Sequence, residues 1–506
     1  MLRRLANLPF LVLLLMLAGL AMLVPAAHAS VLGQDRLARI FAQSAALTLT
    51  LVVLLGLALA NRPRRTAVSS YLPSLAAAYL VLPLVFALPF VLAVRDTSLA
   101  NAWFEMVSSF TTTGATLYDV PGRIPPSLHL WRALVGWMGG FFTLVVAGAI
   151  LLPMNLGGYE VISGRTPGRG TADLAQITRT ADPSERLMRQ AAVLFPPYAG
   201  LTAVLWLVLL LAGEDGLVAL CHAMSTLSTS GISPGVQFEE VRAGLAGEVA
   251  VFLFLGFALS RRFMPGQTML GRSRHLTQDP EIRLAVVILV VVSTVLVLRH
   301  FYALAQEGGL GTLDQGVRAI WGTLFTTLSF LTTTGFESGE WDVARDWLGT
   351  GSPGLALAGL AVIGGGVATT AGGVRLLRIF ALFRLGQHEL ERVIYPSSVG
   401  GGGPQARRLR TEGAYAAWVF FMLFATSIGL VTAALTLAGV DFEPALVFGL
   451  SALTLTGPLA EVAGTVPFDW TSLALPAKAV LGAAMIVGRM ETLAILALLS
   501  PALWRR

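Results

Sequence analysis

The sequence predicts an all-α integral membrane protein in which one helical unit is repeated four times after two additional transmembrane helices. Three observations predict this fold: the hydropathy of the chain, the alternating charge of the segments between apolar stretches, and four copies of a hydroxyl-rich motif that ends in glycine. Of the 506 residues, 55% are hydrophobic and 13% are charged. Soluble domains average about 25% charged residues, so the composition excludes an ordinary soluble protein.

The charged residues and the cysteine count narrow the function classes further. The net charge of +6 comes almost wholly from arginine, since Lys478 is the only lysine. These arginines lie in short segments between apolar stretches, where they orient a membrane protein, and we therefore expect a lipid bilayer and no nucleic acid as partner. The single cysteine, Cys221, excludes an intrachain disulfide framework, and the six histidines are scattered rather than grouped in a Cys/His metal cluster.

Ten segments are apolar and close to the roughly 17–25 residues that a helix needs to span a bilayer. In chain order they are Leu8–Ala27, Ile40–Ala60, Tyr71–Val94, Leu130–Leu152, Ala191–Ala212, Leu245–Leu259, Leu284–Leu298, Leu355–Phe383, Gly413–Leu437 and Leu475–Leu499. The first resembles a signal peptide, because Arg3 and Arg4 precede it and Ala-His-Ala ends it. Since a second apolar run follows at once, we expect an uncleaved first helix.

The charges between these segments alternate in sign, as the positive-inside rule requires. One side carries the arginines Arg3/Arg4, Arg62/Arg64/Arg65, Arg165 through Arg189, Arg261/Arg262/Arg272/Arg274, Arg384 through Arg410 and Arg505/Arg506. The other side carries mostly acids: Glu105, Asp119, Glu214, Asp215, Glu337, Glu340, Asp342, Asp441 and Glu443. The alternation predicts ten crossings with both termini in the cytoplasm.

Four further apolar segments are too short to span, and they all lie on the acidic side. They are Leu99–Phe110, Gly216–Leu227, Val317–Leu331 and Ala445–Leu453. A carboxylate precedes each and is predicted to cap a helix start: Asp96, Asp215, Asp314 and Asp441. Each segment runs into hydroxyl-bearing residues and one glycine, in Thr111–Gly114, Ser228–Gly231, Thr332–Gly335 and Thr454–Gly457. The chain is therefore a fourfold repeat of helix, short re-entrant helix, hydroxyl-glycine loop and helix.

These four loops have a chemical use only if they meet. Irregular backbone at membrane depth is tolerated where it is buried in protein or lines a watery cavity, so we expect the loops to share one axis. Carbonyl oxygens around such an axis can replace the hydration shell of an ion, and neutral oxygens suit a weakly held monovalent cation. The C-terminal ends of the short helices, with about half a negative charge each, would point toward the ion.

Two features inside spanning segments are also unusual. The stretch Ile363–Arg375 contains five glycines and is expected to unwind or kink; it is interpreted as a flexible plug beneath the loops, with tight helix packing as the alternative. Arg489 lies in the last apolar segment, where a charge must face the protein interior. It is either an electrostatic barrier or a structural partner of Glu491 or of loop carbonyls.

Three stretches besides the loops resemble one known family. They are W-R-A-L-V-G-W-M-G-G (Trp131–Gly140), G-G-V-A-T-T-A-G-G-V-R (Gly365–Arg375) and the closing G-R-M-E-T-L…P-A-L-W (Gly488–Trp504). With the four loops, they resemble the Trk/Ktr/HKT superfamily of cation transporters over nearly the whole chain. The resemblance implies a pseudo-tetrameric pore of four M1-P-M2 repeats. The implied units are two N-terminal helices in 1–66 and repeats at 67–160, 190–262, 283–392 (with an intramembrane gating loop at 363–375) and 411–506.

The resemblance also implies the roles of individual residues. The selectivity filter would comprise Thr112, Thr113, Gly114, Thr229, Ser230, Gly231, Thr333, Thr334, Gly335, Leu455, Thr456 and Gly457. The transported K⁺ would bind at Thr112, Thr113, Thr229, Ser230, Thr333, Thr334, Leu455 and Thr456, with no organic cofactor. The gate would comprise Gly364, Gly365, Gly366, Thr369, Thr370, Gly372, Gly373 and the pore-facing Arg489.

Potassium uptake across the bacterial inner membrane, a homodimer and a cytoplasmic nucleotide-binding ring of the RCK type are further implications of the resemblance. All four filter glycines are present, and in the family that this chain resembles their presence goes with potassium over sodium. Two departures leave the ion preference open: Leu455-Thr456 stands where an asparagine is common, and serines flank Thr229.

Other functions remain as alternatives. A relay of helix-buried carboxylates would favour coupled Na⁺ or H⁺ symport, and apart from Glu491 no such carboxylate stands out. A membrane enzyme is suggested by the G-x-S-x-G match at Gly231–Gly235, but a nucleophile elbow needs a strand before it. His222 on the second short helix is interpreted as a packed core histidine. The basic segments Gly157–Arg189, Arg261–Arg283 and Gln387–Arg410 either set topology or dock a regulatory ring.

Overall fold

The computed structural model describes residues 10–59, 71–118, 120, 122–154, 156–163, 183–235, 238, 242–263, 279–306, 313–341, 354–394, 411–464, 467–492 and 494–495. Within these ranges all regular structure is helical, which confirms the predicted all-α class. The predicted cytoplasmic arginine groups at both chain ends, and much of the three basic segments, lie outside the described residues.

The helices are named in chain order. They are α1 (Phe10–Ala21), α2 (Leu23–Val31), α3 (Asp35–Leu59), α4 (Tyr71–Ala93), α5 (Leu99–Phe110), α6 (Pro126–Val146), α7 (Glu160–Ser163), α8 (Pro183–Leu211), α9 (Gly216–Ser228), α10 (Gly244–Leu255), α11 (Pro280–Gln306), α12 (Leu313–Leu331), α13 (Gly354–Ile363), α14 (Leu376–Ile394), α15 (Thr411–Leu437), α16 (Phe442–Thr454), α17 (Leu459–Val462) and α18 (Leu475–Met490).

Seven of the ten predicted spans are helices that are long and apolar enough to cross a bilayer. The other three differ from the prediction. Leu245–Leu259 is the shorter helix α10 followed by a 3₁₀ turn at Gly256–Ala258. Leu355–Phe383 is divided into α13 and α14 by non-helical residues 364–375. Leu475–Leu499 is interrupted at Glu491, whose φ of +64° a right-handed helix cannot accommodate.

The four predicted short helices are present as α5, α9, α12 and α16, but their predicted caps need correction. Helix α5 is capped by the hydroxyl of Ser98 rather than by Asp96, since a serine is as good a cap as an aspartate. Helix α12 begins one residue before Asp314, which therefore lies inside it. Asp215 and Asp441 occupy N-cap positions, although neither side chain accepts a capping hydrogen bond.

The repeats are arranged in a closed ring. Each short helix packs against the second long segment of the preceding repeat: α9 against α6, α12 against α10, α16 against α13, which is the first half of the divided third segment, and α5 against α18. The fourth contact joins the end of the chain to its first repeat and closes the ring. The additional N-terminal helices pack outside the first repeat, where the Phe41 ring lies 5.7 Å from Trp131 and Phe10 lies 6.0 Å from Phe142.

Candidate functional site

The four loops adopt the same local backbone conformation. The second residue of each motif is left-handed: φ is +58° at Thr112, +52° at Thr229, +58° at Thr333 and +63° at Leu455. Residues other than glycine visit this region at a cost of about 1–2 kcal/mol, so a shared occurrence at four equivalent positions reflects one imposed geometry. Leu455 departs from the others in residue type and matches them in conformation.

A hydroxyl brace repeats in every loop. The side chains of the first and third motif residues are hydrogen bonded to each other, in the pairs Thr111–Thr113 (2.8 Å), Ser228–Ser230 (3.1 Å), Thr332–Thr334 (3.1 Å) and Thr454–Thr456 (3.3 Å). The first hydroxyl of each pair also donates to a carbonyl four residues earlier, at 2.7–3.0 Å. These hydroxyls therefore hold each loop onto its short helix.

A serine that recurs in each repeat was not among the site residues predicted from the sequence. The amide of the third motif residue donates to the carbonyl of a serine five positions earlier, at Ser108, Ser225, Ser329 and Ser451, with lengths of 2.8–3.0 Å. The signal was present in the sequence as Ser-x-x-[Ser/Thr]-x-[Ser/Thr]-Gly in all four copies. The small side chain suits this position, which is fully buried in each repeat.

The motif glycines are the points where neighbouring loops touch. A methyl group built on Gly114 would lie 2.0 Å from the Ser230 carbonyl oxygen, and one on Gly231 would lie 2.2 Å from that of Thr334. On Gly335 it would lie 2.9 Å from the Pro458 ring.

The fourth glycine joins the fourth loop to the first. The amide of Gly457 donates to the Thr113 carbonyl at 2.6 Å, and a methyl group there would lie 2.2 Å from the Ala115 nitrogen. The loops thus meet in the order first, second, third, fourth and first again. The three earlier glycines also have positive φ, so close approach and backbone conformation both require them.

The glycine-rich segment lies against this ring. The Gly372 amide donates to the Thr333 hydroxyl at 2.8 Å, and the Thr370 hydroxyl donates to the Leu227 carbonyl at 3.2 Å. A methyl group on Gly372 would lie 2.2 Å from the Thr454 carbonyl oxygen. The segment therefore touches three of the four loops at the ends of their short helices. The predicted unwinding is confirmed, and it places irregular backbone next to the loops.

Arg489 and Glu491 have different partners. Arg489 is 4% exposed and donates to the Thr370 carbonyl at 2.5 Å, so it contacts the glycine-rich segment. Glu491 instead pairs with Arg375, at 2.9 Å from Nε, and with Arg378, at 2.8 Å from Nη2. Of the two structural partners considered for Arg489, the loop carbonyl is the one in contact.

Several residues of the predicted acidic side are paired within the protein. Glu105 is fully buried and lies 2.6 Å from Nε of Arg132, while Asp215 pairs with Arg242 at 3.1 Å. Glu214 is also buried and accepts the Ala243 amide at 3.2 Å. These three carboxylates are therefore engaged in contacts within the protein, and Asp119 and Asp342 lie outside the described residues.

The structure around Ser233 and His222 does not support the membrane-enzyme alternative. Ser233 of the G-x-S-x-G match follows helix α9 and not a strand. His222 is fully buried, with its ring edge-on to Phe238 and Phe336 at 5.1 and 5.7 Å, which agrees with the interpretation of a packed core histidine. Among the described residues, no three His, Cys, Asp or Glu side chains group as a metal site.

Comparison with known proteins gives this architecture a family. The family model for TrkH, described as a cation transport protein, matches residues 250–505, which is more than half of the chain. The chain belongs to the TrkH family. The Trk system potassium uptake protein TrkH of Escherichia coli is 29% identical over 438 residues, which cover 84% of each chain. TrkI of Halomonas elongata is 29% identical over 435 residues, which cover 83% of this chain and 80% of that one.

The fold agrees with a solved member of the same family. The crystal structure of the potassium transporter TrkH from Vibrio parahaemolyticus matches with a TM-score of 0.77 and 25% identity, covering 99% of both chains. The resemblance stated from the sequence is thereby confirmed. This TrkH-family chain is a multi-pass membrane protein of a transporter family, and the membrane-enzyme alternative is excluded.

Proposed function

We propose that the chain takes up potassium across the bacterial inner membrane through a selectivity filter formed by the four loops, with channel-like permeation. The observation that carries the proposal is the closed ring, in which four loops share one left-handed residue, one hydroxyl brace and one glycine contact. The relatives from Escherichia coli and Halomonas elongata are Trk system potassium uptake proteins, which supports potassium as the ion.

The ring offers oxygen ligands of the kind that potassium needs. Because the hydroxyls of the first and third motif residues are tied together, the backbone carbonyls of the loops are the main candidate ligands. Carbonyl dipoles compensate a dehydrated K⁺ at little cost in reorganisation. The short helices end at the ring and direct their negative ends toward it, which favours a cation. We assign the K⁺ positions to Thr112, Thr113, Thr229, Ser230, Thr333, Thr334, Leu455 and Thr456.

The glycine-rich segment is the proposed gate. Its contacts with Leu227, Thr333 and Thr454 put it directly on the ion path if the ring is the filter. Arg489 holds it through the Thr370 carbonyl and adds positive charge beside the path, which opposes cation passage. Opening then requires this hydrogen bond and the contacts to the loops to break.

The proposed assembly follows the family resemblance. It is a homodimer with both termini in the cytoplasm, bound by a nucleotide-binding ring of the RCK type. The domain limits are those predicted from the sequence, with two helices in 1–66 followed by four repeats. No specific observation favours the alternative of Na⁺- or H⁺-coupled symport, because Glu491, the carboxylate considered for a relay, is paired with Arg375 and Arg378.

Rescue of a potassium-uptake-deficient bacterium at low external potassium tests the proposal, with the cytoplasmic partner supplied. The wild type should restore growth, and Gly335→Ser should reduce potassium preference because its side chain meets Pro458. Gly200→Ser is the matched control, since no atom lies within 4 Å of the added carbon. Growth that is not restored by the wild type, or unchanged ion preference in Gly335→Ser, would overturn the proposal.

A further inference from the structure

A buried carboxylate of the second repeat holds the segment that follows the third loop. Glu248 lies on helix α10 and is 7% exposed. Its Oε2 accepts hydrogen bonds from the Ser338 hydroxyl at 2.7 Å and from Nε1 of Trp321 at 2.6 Å. Its Oε1 accepts the Gly339 amide at 2.9 Å. One side chain thus joins helix α10, the third short helix α12 and the backbone just beyond Gly335.

The charge of Glu248 is satisfied without a cation. Among the described residues no arginine, lysine or histidine pairs with it, and three neutral donors take that role instead. Hydrogen bonds to a charged group contribute about 1.5–3 kcal/mol each, and they are directional. The cluster therefore fixes the positions of Ser338 and Gly339 more strictly than apolar packing would.

The first repeat gives an informative contrast. Glu105 accepts the Leu117 amide at 2.9 Å, which is also a backbone group just beyond a motif glycine. That carboxylate is neutralised by Arg132 at 2.6 Å. Both loops are therefore anchored on the outer side by a buried carboxylate, but only the third is anchored from a different repeat and by neutral donors alone.

Other contacts make the anchor of the third loop rigid. Phe336 stacks on Phe238 of the second repeat, with ring centroids 4.7 Å apart. The Ser338 carbonyl accepts the amide of Trp341, whose side chain is fully buried. Residues 335–341 are therefore held at Phe336, Ser338, Gly339 and Trp341. A shift at Ser338 is then transmitted to Gly335 and to the filter contact with Pro458.

We propose that Glu248 is a positioning residue for ion discrimination: it sets the outer end of the third loop and thereby the spacing of the ring at Gly335. This rests on the proposed function of the ring as a potassium filter. Replacement by glutamine keeps the size but turns one acceptor into a donor, so at least one of the three hydrogen bonds is lost. Replacement by aspartate keeps the charge but is one methylene too short to reach all three donors.

Proteoliposomes containing the purified protein test the proposal, with the K⁺/Na⁺ permeability ratio as readout. Glu248→Gln and Glu248→Asp should both lower the ratio roughly tenfold, the equivalent of one charge-assisted hydrogen bond. Ser338→Ala, which removes one donor to Glu248 and the acceptor of the Glu340 amide, should lower it less. Glu340→Gln is the control, because that carboxylate is partly exposed and pairs with Arg318 at 3.7 Å.

Each outcome has one meaning. A lowered ratio for both Glu248 variants, with unchanged melting temperature in Ser338→Ala, supports positioning. If the permeability ratio is lowered in Glu248→Gln alone, the effect is due to charge and the positioning role is overturned. A wild-type ratio in all three variants also overturns the positioning role. If the Glu248 variants do not fold, Ser338→Ala decides by itself. A wild-type protein without potassium preference would instead refute the proposed function. That result is distinguishable, because the K⁺/Na⁺ permeability ratios of the wild type and of Glu340→Gln would then both be near one.

Discussion

Neutralising Glu491 should release the glycine-rich segment from the loops. Glu491 and Arg375 both have a positive φ, +64° and +84°, and each lies where a helix is interrupted. Such conformations cost about 1–3 kcal/mol each and persist where the surroundings impose them. The two residues form an ion pair with 2.9 Å between Oε1 and Nε. The pair therefore holds two strained segments in place at once.

The expected magnitude follows from what glutamine retains. Glu491→Gln keeps one acceptor oxygen, and Arg378 keeps its 2.7 Å contact with Glu160, so no arginine is left wholly without a partner. The loss is then the charge of one ion-pair contact, comparable to a hydrogen bond to a charged group at about 1.5–3 kcal/mol, rather than the 3–5 kcal/mol of a broken buried pair. If the pair exists only while the segment occupies the path, the open population rises by about tenfold or more, since 1.4 kcal/mol is a factor of ten.

Rubidium uptake into proteoliposomes without the cytoplasmic partner measures this change. Basal uptake should rise about tenfold or more in Glu491→Gln. Asp215→Asn serves as control, because its pair with Arg242 has side chains that are 60% and 72% exposed and such surface pairs contribute little. Unchanged or reduced uptake by a folded Glu491→Gln protein would refute the reasoning, since the pair would then not hold the segment in the path.

Four further predictions concern the ring and the gate. Gly114→Ala should abolish rescue of potassium-limited growth. Gly33→Ala is the control and should be tolerated, because Gly33 has a similar φ of +69° but no atom within 4 Å of an added carbon. Equal effects of the two substitutions would mean that backbone strain alone matters. Thr111→Val removes a bridging hydroxyl and should lower the free energy of unfolding by about 1–3 kcal/mol, measured from thermal unfolding in detergent. Thr112→Val removes a hydroxyl without a protein partner and should change ion affinity more than the melting temperature. Arg489→Ala should raise basal rubidium uptake, and a drop in uptake would contradict its role as a barrier.

The repeat unit could be read from the sequence because its signals are local. Helix α5 begins and ends where the apolar run Leu99–Phe110 predicted, since hydropathy and the hydroxyl-glycine motif lie within a few residues of one another. The unwinding of 364–375 was equally local, because glycine weakens a helix wherever it occurs. The interruption at Glu491 was not predictable in this way. Its positive φ occurs where the side chain pairs with Arg375 and Arg378, which are distant in the chain.

By itself, therefore, the sequence determined the all-α membrane class, the fourfold repeat and the residues of each loop, because hydropathy and glycine content act over short stretches. Only the tertiary structure decided which groups meet. It joined Gly457 to Thr113 and so closed the ring, gave Arg489 the Thr370 carbonyl rather than Glu491, and placed Glu248 beside Ser338. The physical reason is that buried charges and carbonyls take the partners that packing brings within about 3 Å, and no local pattern encodes those partners.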